Sequence, residues 1–365
     1  MLIKFMVVLI VVLFSTLSVD ANDFNRGDRL KKLLSNSENG GFRERLKNNK
    51  QSSGSQNKNI IDLDISSLNH DGVERWYGLY IPQKASKNSS AVVVLHGGTG
   101  SMHNVFRSSA VAYHNWIDIA DKTGTVLIVP NGTNNSNGDT KGDHQNWNDF
   151  RNERSDSIPP ADDVGFITHL IDYLSEKNIM DRSKVFVTGT SNGGTMTYRL
   201  LVEKPEYFNA GAAFAANFPV DNFSRLPKPS KPTPLFIMNG TDDPLMKYDG
   251  GKIKGRDGNG VTSMAETISW WVKNNNASLQ NHTTTNLVDY NLNDQCHLKL
   301  DMYPVSSSNN SSPVYAYTVL GGGHSVPSLK QASTQKSFMK RLVGEQCNSA
   351  EEVKMAWDFF QNHSN

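Results

Sequence analysis

Val185-Phe186-Val187-Thr188-Gly189-Thr190-Ser191-Asn192-Gly193-Gly194 is the stretch on which the reading of this chain turns. Val185 to Val187 is a short apolar run of the strand type, and a helix is expected from about Thr195, so Gly-x-Ser-x-Gly stands at a strand-to-helix bend. At such a bend the middle side chain is thrown outward beyond the end of the strand. Its neighbours must be small, because a Cβ on either side would meet backbone. Ser191 is therefore a candidate nucleophile. Taken alone, the pentapeptide also describes a glycine-rich helix entry whose Ser caps free N–H groups; the strand before it and the helix after it favour the nucleophile.

Working outward, the flanking sequence alternates strand and helix patterns. Ala91 to Leu95 and Thr125 to Val129 are continuous apolar runs, the pattern of strands buried on both faces of a parallel sheet. Lys184 to Thr188, Ala210 to Ala216, Leu235 to Met238 and Val314 to Leu320 are further candidates. Ile60 to Ile65 and the aromatic-rich Val73 to Ile81 suggest an antiparallel pair at a sheet edge. Trp116, Ile117 and Ala120, and then Val164, Ile167, Leu170, Ile171 and Leu174 behind Asp162-Asp163, carry helical spacing. The succession calls for a three-layer α/β domain over residues 59–365.

A serine hydroxyl needs a general base, and the base needs an orienting carboxylate. Where this bend hosts a nucleophile, acid and then His follow on loops after later strands. Asn239-Gly240-Thr241-Asp242-Asp243-Pro244 follows the run Leu235 to Met238 and offers two carboxylates. Gly321-Gly322-Gly323-His324-Ser325 follows Val314 to Leu320. Of ten histidines, His324 alone comes after both the bend and a candidate strand; His282, His297 and His363 lie downstream without that setting. A tetrahedral intermediate also needs donors for its oxyanion. Leu95-His96-Gly97-Gly98-Thr99-Gly100 supplies one main-chain N–H, taken as that of Gly98, and Asn192 the second. His96 itself reads as structural.

These blocks, with Tyr198-Arg199-Leu200, Pro205-Glu206-Tyr207-Phe208 and Asp162-Asp163-Val164-Gly165-Phe166-Ile167, resemble the secreted esterases that group poly(3-hydroxybutyrate) depolymerases with feruloyl and acetylxylan esterases. The resemblance covers roughly Trp76 to Gln335. It implies the α/β-hydrolase fold, a mostly parallel central sheet with helices on both faces, and a triad of Ser191, Asp243 and His324. By position the acid is Asp243 rather than Asp242, because it stands immediately before the Pro. Asn239 departs from a usual His, and Met246-Lys247-Tyr248 from a more apolar Val-Pro-Tyr.

Composition narrows the partners. The chain has 365 residues, 37 basic and 36 acidic side chains and a formal charge of +1, which gives no electrostatic reason to bind nucleic acid or an anionic membrane. Residues 1–21 read as an export signal, with Lys4 before the apolar run Phe5 to Phe14 and small residues near Ala21. That run is shorter than the roughly 20 residues a membrane span needs, so cleavage near Ala21 is expected, with an uncleaved signal anchor as the alternative. A secreted or periplasmic location follows, with no membrane attachment once the signal is removed. Residues 22–58 hold nine basic and four acidic side chains and read as a solvated linker. Cys296 and Cys347, the two cysteines, are a candidate disulfide in an exported protein, with two buried thiols as the alternative.

The Asn- and Gly-rich loop from Asn131 to Asp149 carries Trp147, which by resemblance lies over the nucleophile. Its indole is a candidate substrate-binding surface; a loop Trp can equally anchor the loop to the core. At least one of Trp270 and Trp271 is expected in the core. Several Asn-x-Ser/Thr sites, including Asn88, Asn131, Asn222, Asn239 and Asn276, are read as incidental to an Asn-rich sequence. No metal spacing is evident, no cofactor is expected, and the implied partner is an ester, a hydroxyalkanoate oligomer or an acylated plant polysaccharide fragment. Soluble oligomers or small esters are expected over solid polymer. An inactive hydrolase fold used for binding and a secreted serine peptidase of the same fold are the alternatives.

Overall fold

The computed structural model describes residues 61, 63–106, 111–151, 160–253, 260–288, 294, 296–307, 310–329, 341–348 and 350–363. The export signal and linker expected over residues 1–58 lie outside them. The strands are β1 (Asp64–His70), β2 (Val73–Tyr80), β3 (Ala91–Leu95), β4 (Val126–Pro130), β5 (Val185–Thr190), β6 (Ala210–Phe214), β7 (Leu235–Gly240), β8 (Thr283–Asn286), β9 (His297–Tyr303) and β10 (Val314–Leu320). They form one sheet in the order β1-β2-β4-β3-β5-β6-β7-β10-β9-β8. Pairing is parallel from β4 through β3, β5, β6 and β7 to β10, and antiparallel at both margins. The helices are α1 (Val111–Thr123), α2 (Asp163–Glu176), α3 (Asn192–Glu203), the single turn α4 (Val220–Phe223), α5 (Met264–Asn274) and α6 (Glu352–Asn362).

The period-2 alternation of the central strands divides the core between two faces. Val92 and Val94 of β3 pack with Trp116 of α1 and Phe359 and Phe360 of α6. Ala91, Val93 and Leu95 pack with Leu170 of α2, Tyr198 of α3 and Trp271 of α5. This is the α/β-hydrolase arrangement, with helices on both sides of a mostly parallel sheet. Among the described residues no helix is long and apolar enough to cross a membrane.

Two readings shift. The first strand runs from Asp64 to His70, past the expected Ile60 to Ile65, and Asp71 and Gly72, at φ 50° and 83°, form a two-residue hairpin turn that fixes the register His70↔Val73; residue 60 lies outside the described residues. The antiparallel β8 and β9 and helix α6 add to the elements expected from the sequence. Helix α6 is held by long-range packing, with the Phe360 and Phe186 rings stacked at 4.8 Å.

Cys296, just before β9, and Cys347, just before α6, are bonded, with Cα atoms 5.8 Å apart. The segment carrying Cys347 also holds the chain around His324, since Val343 O accepts from His324 N and Glu345 O from Gly323 N. Replacing both cysteines by Ala should therefore cost about 4 kcal/mol, the loop-entropy value for a separation of 51 residues. Urea unfolding followed by Trp fluorescence checks this, and an unchanged midpoint would show that the loop is already constrained without the bond.

Glu352 opens α6 fully buried, and neither of its carboxyl oxygens has a hydrogen-bond partner among the described residues. Burial, and secondarily the neighbouring Glu351, push its pKa well above the ordinary 4.5. The folded protein thus keeps a proton that the unfolded chain releases above about pH 4.5, so stability falls as pH rises from there. Glu352→Gln should raise the melting temperature, by a margin that widens as pH rises above about 5. A margin independent of pH would show that the carboxyl is not protonated in the fold.

Candidate active site

Ser191 follows directly on β5 and precedes α3 with φ 59° and ψ −123°, outside the regions open to most L-residues. The helix begins at Asn192, earlier than expected, so the bend is confined to one residue. Ser191 makes no side-chain cap bond, which removes the capping role. The flanking glycines are required by space. A Cβ at Gly193 would come within 2.5 Å of the carbonyl oxygens of Leu95 and His96, and one at Gly189 within 2.4 Å of Gly193 O. A Cβ at Gly194 would meet Ala216 Cβ at 2.6 Å. The bend is thus wedged between the ends of β3 and β6.

The acid and imidazole loops leave β7 and β10, neighbouring parallel strands, at the same edge of the sheet. They are zipped together by main chain, Asp242 N donating to Gly322 O at 2.9 Å and Thr241 N to Val319 O at 3.0 Å. Gly240 permits this approach, since a Cβ there would lie 2.1 Å from Gly322 O. The result is that His324 Nδ1 donates to Asp243 Oδ2 at 2.7 Å. Asp243 Oδ1 accepts from Leu245 N at 2.8 Å and Met246 N at 2.7 Å, which fixes the carboxylate. The Asp243 side chain is wholly buried and that of His324 nearly so, whereas Asp242 is exposed and bonded to Thr241.

With Nδ1 committed to a carboxylate, Nε2 is the nitrogen free to take a proton. Neither His324 Nε2 nor Ser191 Oγ has a hydrogen-bond partner among the described residues, so the two are not joined in this structure. The departures in the acid loop are absorbed locally. Met246 packs with Ile253 and Val261 in a small satellite core, and Asn239 is buried with its amide bonded to Ala216 and Asn217.

The loop after β3 passes against Ser191, a Cβ at Gly97 lying 3.8 Å from Ser191 Cβ. Gly97 O accepts from Gly100 N at 3.1 Å and from His96 Nδ1 at 2.8 Å. His96 Nε2 accepts from Gly132 N at 3.1 Å, so the ring is neutral with its proton on Nδ1. Burial pushes its pKa down to about 4. The N–H groups of Gly98 and Asn192 have no acceptor among the described residues, as expected for a turn and for the first helical residue.

Trp147 corrects one expectation. It is 3% exposed, its Nε1 donates to His96 O at 2.9 Å, and its ring lies 4.7 Å from that of His96. Of the two readings open to a loop Trp, the structure has the anchor, not an exposed binding surface. Trp271 is likewise core. Asn131 and Asn239 are buried and so unavailable to a glycan.

Sequence reasoning missed the polar groups that hold the 131–149 loop. Asp163, which looks like a helix-start acid, is buried, pairs with Arg75 at 2.6 Å and accepts from Asn148 N at 2.7 Å. Tyr113 is hydrogen-bonded through its hydroxyl to Thr190 Oγ1, beside Ser191, from 77 residues away. Neither has a local signal. Away from this edge, His70, Asp71 and Asp162 bring ligand-type atoms within 4.8 Å of one another. There His70 Nε2 is 3.1 Å from Asp162 Oδ2, and Asp162 caps α2, so the group is accounted for structurally.

A sequence model of the prolyl oligopeptidase family matches residues 161–228, the stretch holding α2, the bend and α3. Feruloyl esterase B of Neurospora crassa is 29% identical over 136 residues, 37% of this chain and 42% of that protein. Probable acetylxylan esterase A of Aspergillus flavus is 26% identical over 137 residues, 38% of this chain and 40% of that protein. The chain thus spans about two fifths of the length of these curated relatives. Among solved structures, the acetyl xylan esterase from Aspergillus awamori is similar with a TM-score of 0.48 at 14% identity, over 76% of this chain and 98% of that one. The sheet topology is that of the α/β-hydrolase fold, and over about two fifths of its length the chain is similar in sequence to feruloyl and acetylxylan esterases.

Proposed function

We propose that this chain is an exported serine carboxylesterase with Ser191 as nucleophile, His324 as general base and acid, and Asp243 as the carboxylate that orients the imidazole. The observation that carries this reading is the buried Asp243–His324 bond of 2.7 Å, at the same sheet edge as a serine held at φ 59° between glycines that admit no side chain. Ser191 Oγ attacks the ester carbonyl carbon while its proton passes to His324 Nε2; catalytic hydrogen bonds of this kind commonly tighten only when substrate is bound. The oxyanion is met by Gly98 N–H and Asn192 N–H, each donor worth about 3 kcal/mol in the transition state. Collapse breaks the bond to the alkoxy group, which leaves as the alcohol with the proton from His324. Water then gives its proton to His324, attacks the acyl-enzyme and releases the acid and Ser191.

Export is supported by the apolar stretch at residues 5–14 and by the Cys296–Cys347 bond, which belongs to an oxidising compartment. The names of the relatives favour acylated plant polysaccharide fragments, with hydroxyalkanoate oligomers as the other substrate class. Thr190, next to Ser191 in the chain, and Tyr113, bonded to it through its hydroxyl, are the side chains proposed to meet the acyl group.

Ser191→Ala should abolish both p-nitrophenyl acetate turnover and labelling by a fluorophosphonate. Asp243→Asn should lower kcat by about 10⁴-fold, whereas Asp242→Asn should leave it within about twofold, since that carboxylate is exposed. Equal losses in the two Asp variants would contradict the assignment of the acid. The prolyl oligopeptidase match gives a peptidase reading a specific basis. Turnover of peptide amides without turnover of methyl ferulate, acetylated xylan or hydroxybutyrate oligomers would select it.

A further inference from the structure

The two proposed oxyanion donors sit on segments far apart in sequence, Gly98 in the loop after β3 and Asn192 at the start of α3. One residue spans them. The main chain of Trp147 is gripped by the Asn192 side chain, Trp147 N donating to Asn192 Oδ1 at 2.7 Å and Asn192 Nδ2 donating to Trp147 O at 3.2 Å. The indole reaches the other way, Nε1 donating to His96 O at 2.9 Å with the ring against the imidazole. His96 Nδ1 in turn donates to Gly97 O at 2.8 Å.

That last bond sets a direction. The Gly97 carbonyl and the Gly98 N–H belong to one planar trans peptide, so fixing the oxygen points the N–H the opposite way. We infer that the indole of Trp147 and the side-chain amide of Asn192 are positioning residues, which set the separation and direction of the Gly98 and Asn192 N–H groups.

The same chain of bonds is braced from outside. Asn192 Nδ2 also donates to Asp149 Oδ2 at 2.6 Å, and Asp149 is held by the Arg151 guanidinium. Thr99 N donates to Asn146 Oδ1 at 3.1 Å and Gln145 N to Gly100 O at 2.9 Å, so the 145–147 segment is tied to the β3 loop at three points. Trp147, Asn192 and His96 are each at most 3% exposed. In that setting the bonds are not in competition with water, and losing one leaves a buried polar group unpaired. The assignment rests on the serine esterase reading, because it concerns donors that act only if Ser191 is acylated.

The test uses Trp147→Phe, which removes the Nε1–H but keeps a ring in the stack, and Asn192→Ser, which shortens the amide clamp. Measured for each are kcat and KM on p-nitrophenyl acetate, Ki for phenylboronic acid, which takes up the serine oxygen as a tetrahedral anion, and the melting temperature. A misplaced donor should lower kcat by about 10- to 100-fold. KM should stay within about threefold, and boronate affinity should weaken by the same factor as kcat/KM. The double variant should be no worse than the worse single, since the bonds act as one unit.

Unchanged kcat and boronate affinity in both variants, or a raised KM at constant kcat, would overturn the assignment. The second pattern would mean that Trp147 serves ground-state binding. If Trp147→Phe does not fold, Asn192→Ser carries the same test. Failure of the underlying reading is distinguishable, because the unaltered protein would then neither turn over esters nor be labelled at Ser191.

Discussion

The backbone at Ser191 is the constraint from which the rest of the site follows. A non-glycine residue at φ 59° costs about 1–3 kcal/mol and persists only where its surroundings over-determine it. Here they do so from three sides. Ser191 N donates to Phe214 O at 2.8 Å at the end of β6, Gly193 is pressed against the carbonyls that end β3, and α3 is buried on nearly every side, only Arg199 and Glu203 falling outside its buried residues. The same contacts hold the β3 loop and the start of α3 together, so in the proposed mechanism nucleophile and anion pocket are consequences of one close approach.

The second requirement is a buried polar framework that replaces water around a long loop. Residues 131–149 contain little apolar surface, yet Asn131, Gln145, Trp147 and Asp149 are buried. The cost of burying them is offset in part by pairing, Gln145 Oε1 having no partner among the described residues. Asn131 accepts from Met102 N and donates to Thr140 O and Gly142 O, and Asn148 is held by Asp163, itself neutralised by Arg75. An ion pair this deep contributes little net stability, but it orders the loop that Trp147 then ties to both donors. The network thus links β2, through Arg75 and Asp163, to the proposed site beside β5.

How much of this the sequence discloses depends on how local each signal is. Central strands, the bend at Ser191 and the glycine loop before His324 are legible because each is a contiguous pattern of apolar run and turn residues. The adjacent pair Asp242 and Asp243 is not resolvable from residue chemistry. Pro244 and the turn in which Leu245 N and Met246 N bind Asp243 turn that carboxylate inward. Trp147 is ambiguous for a stronger reason, since its burial depends on Asn192 and His96, 45 and 51 residues away. Asp149, Asp163 and Arg75 look like a hydrophilic surface until their partners are in place. β8 has no apolar pattern and exists through its pairing with β9, whereas β9 alternates Leu298, Leu300 and Met302 and α6 carries Val353, Ala356, Trp357 and Phe360 at helical spacing, signals that the sequence does contain.

The central claim is that one serine oxygen, one imidazole and two main-chain N–H groups converge on a single tetrahedral centre. A crystal structure of the protein inactivated by an alkyl phosphonate tests this most directly. The account predicts phosphorus bonded to Ser191 Oγ, the phosphoryl oxygen about 3 Å from both Gly98 N and Asn192 N, and His324 Nε2 within hydrogen-bond reach of the ester oxygen. Phosphorus on another residue, or a phosphoryl oxygen turned to solvent with Gly98 and Asn192 N–H unpaired, would contradict it.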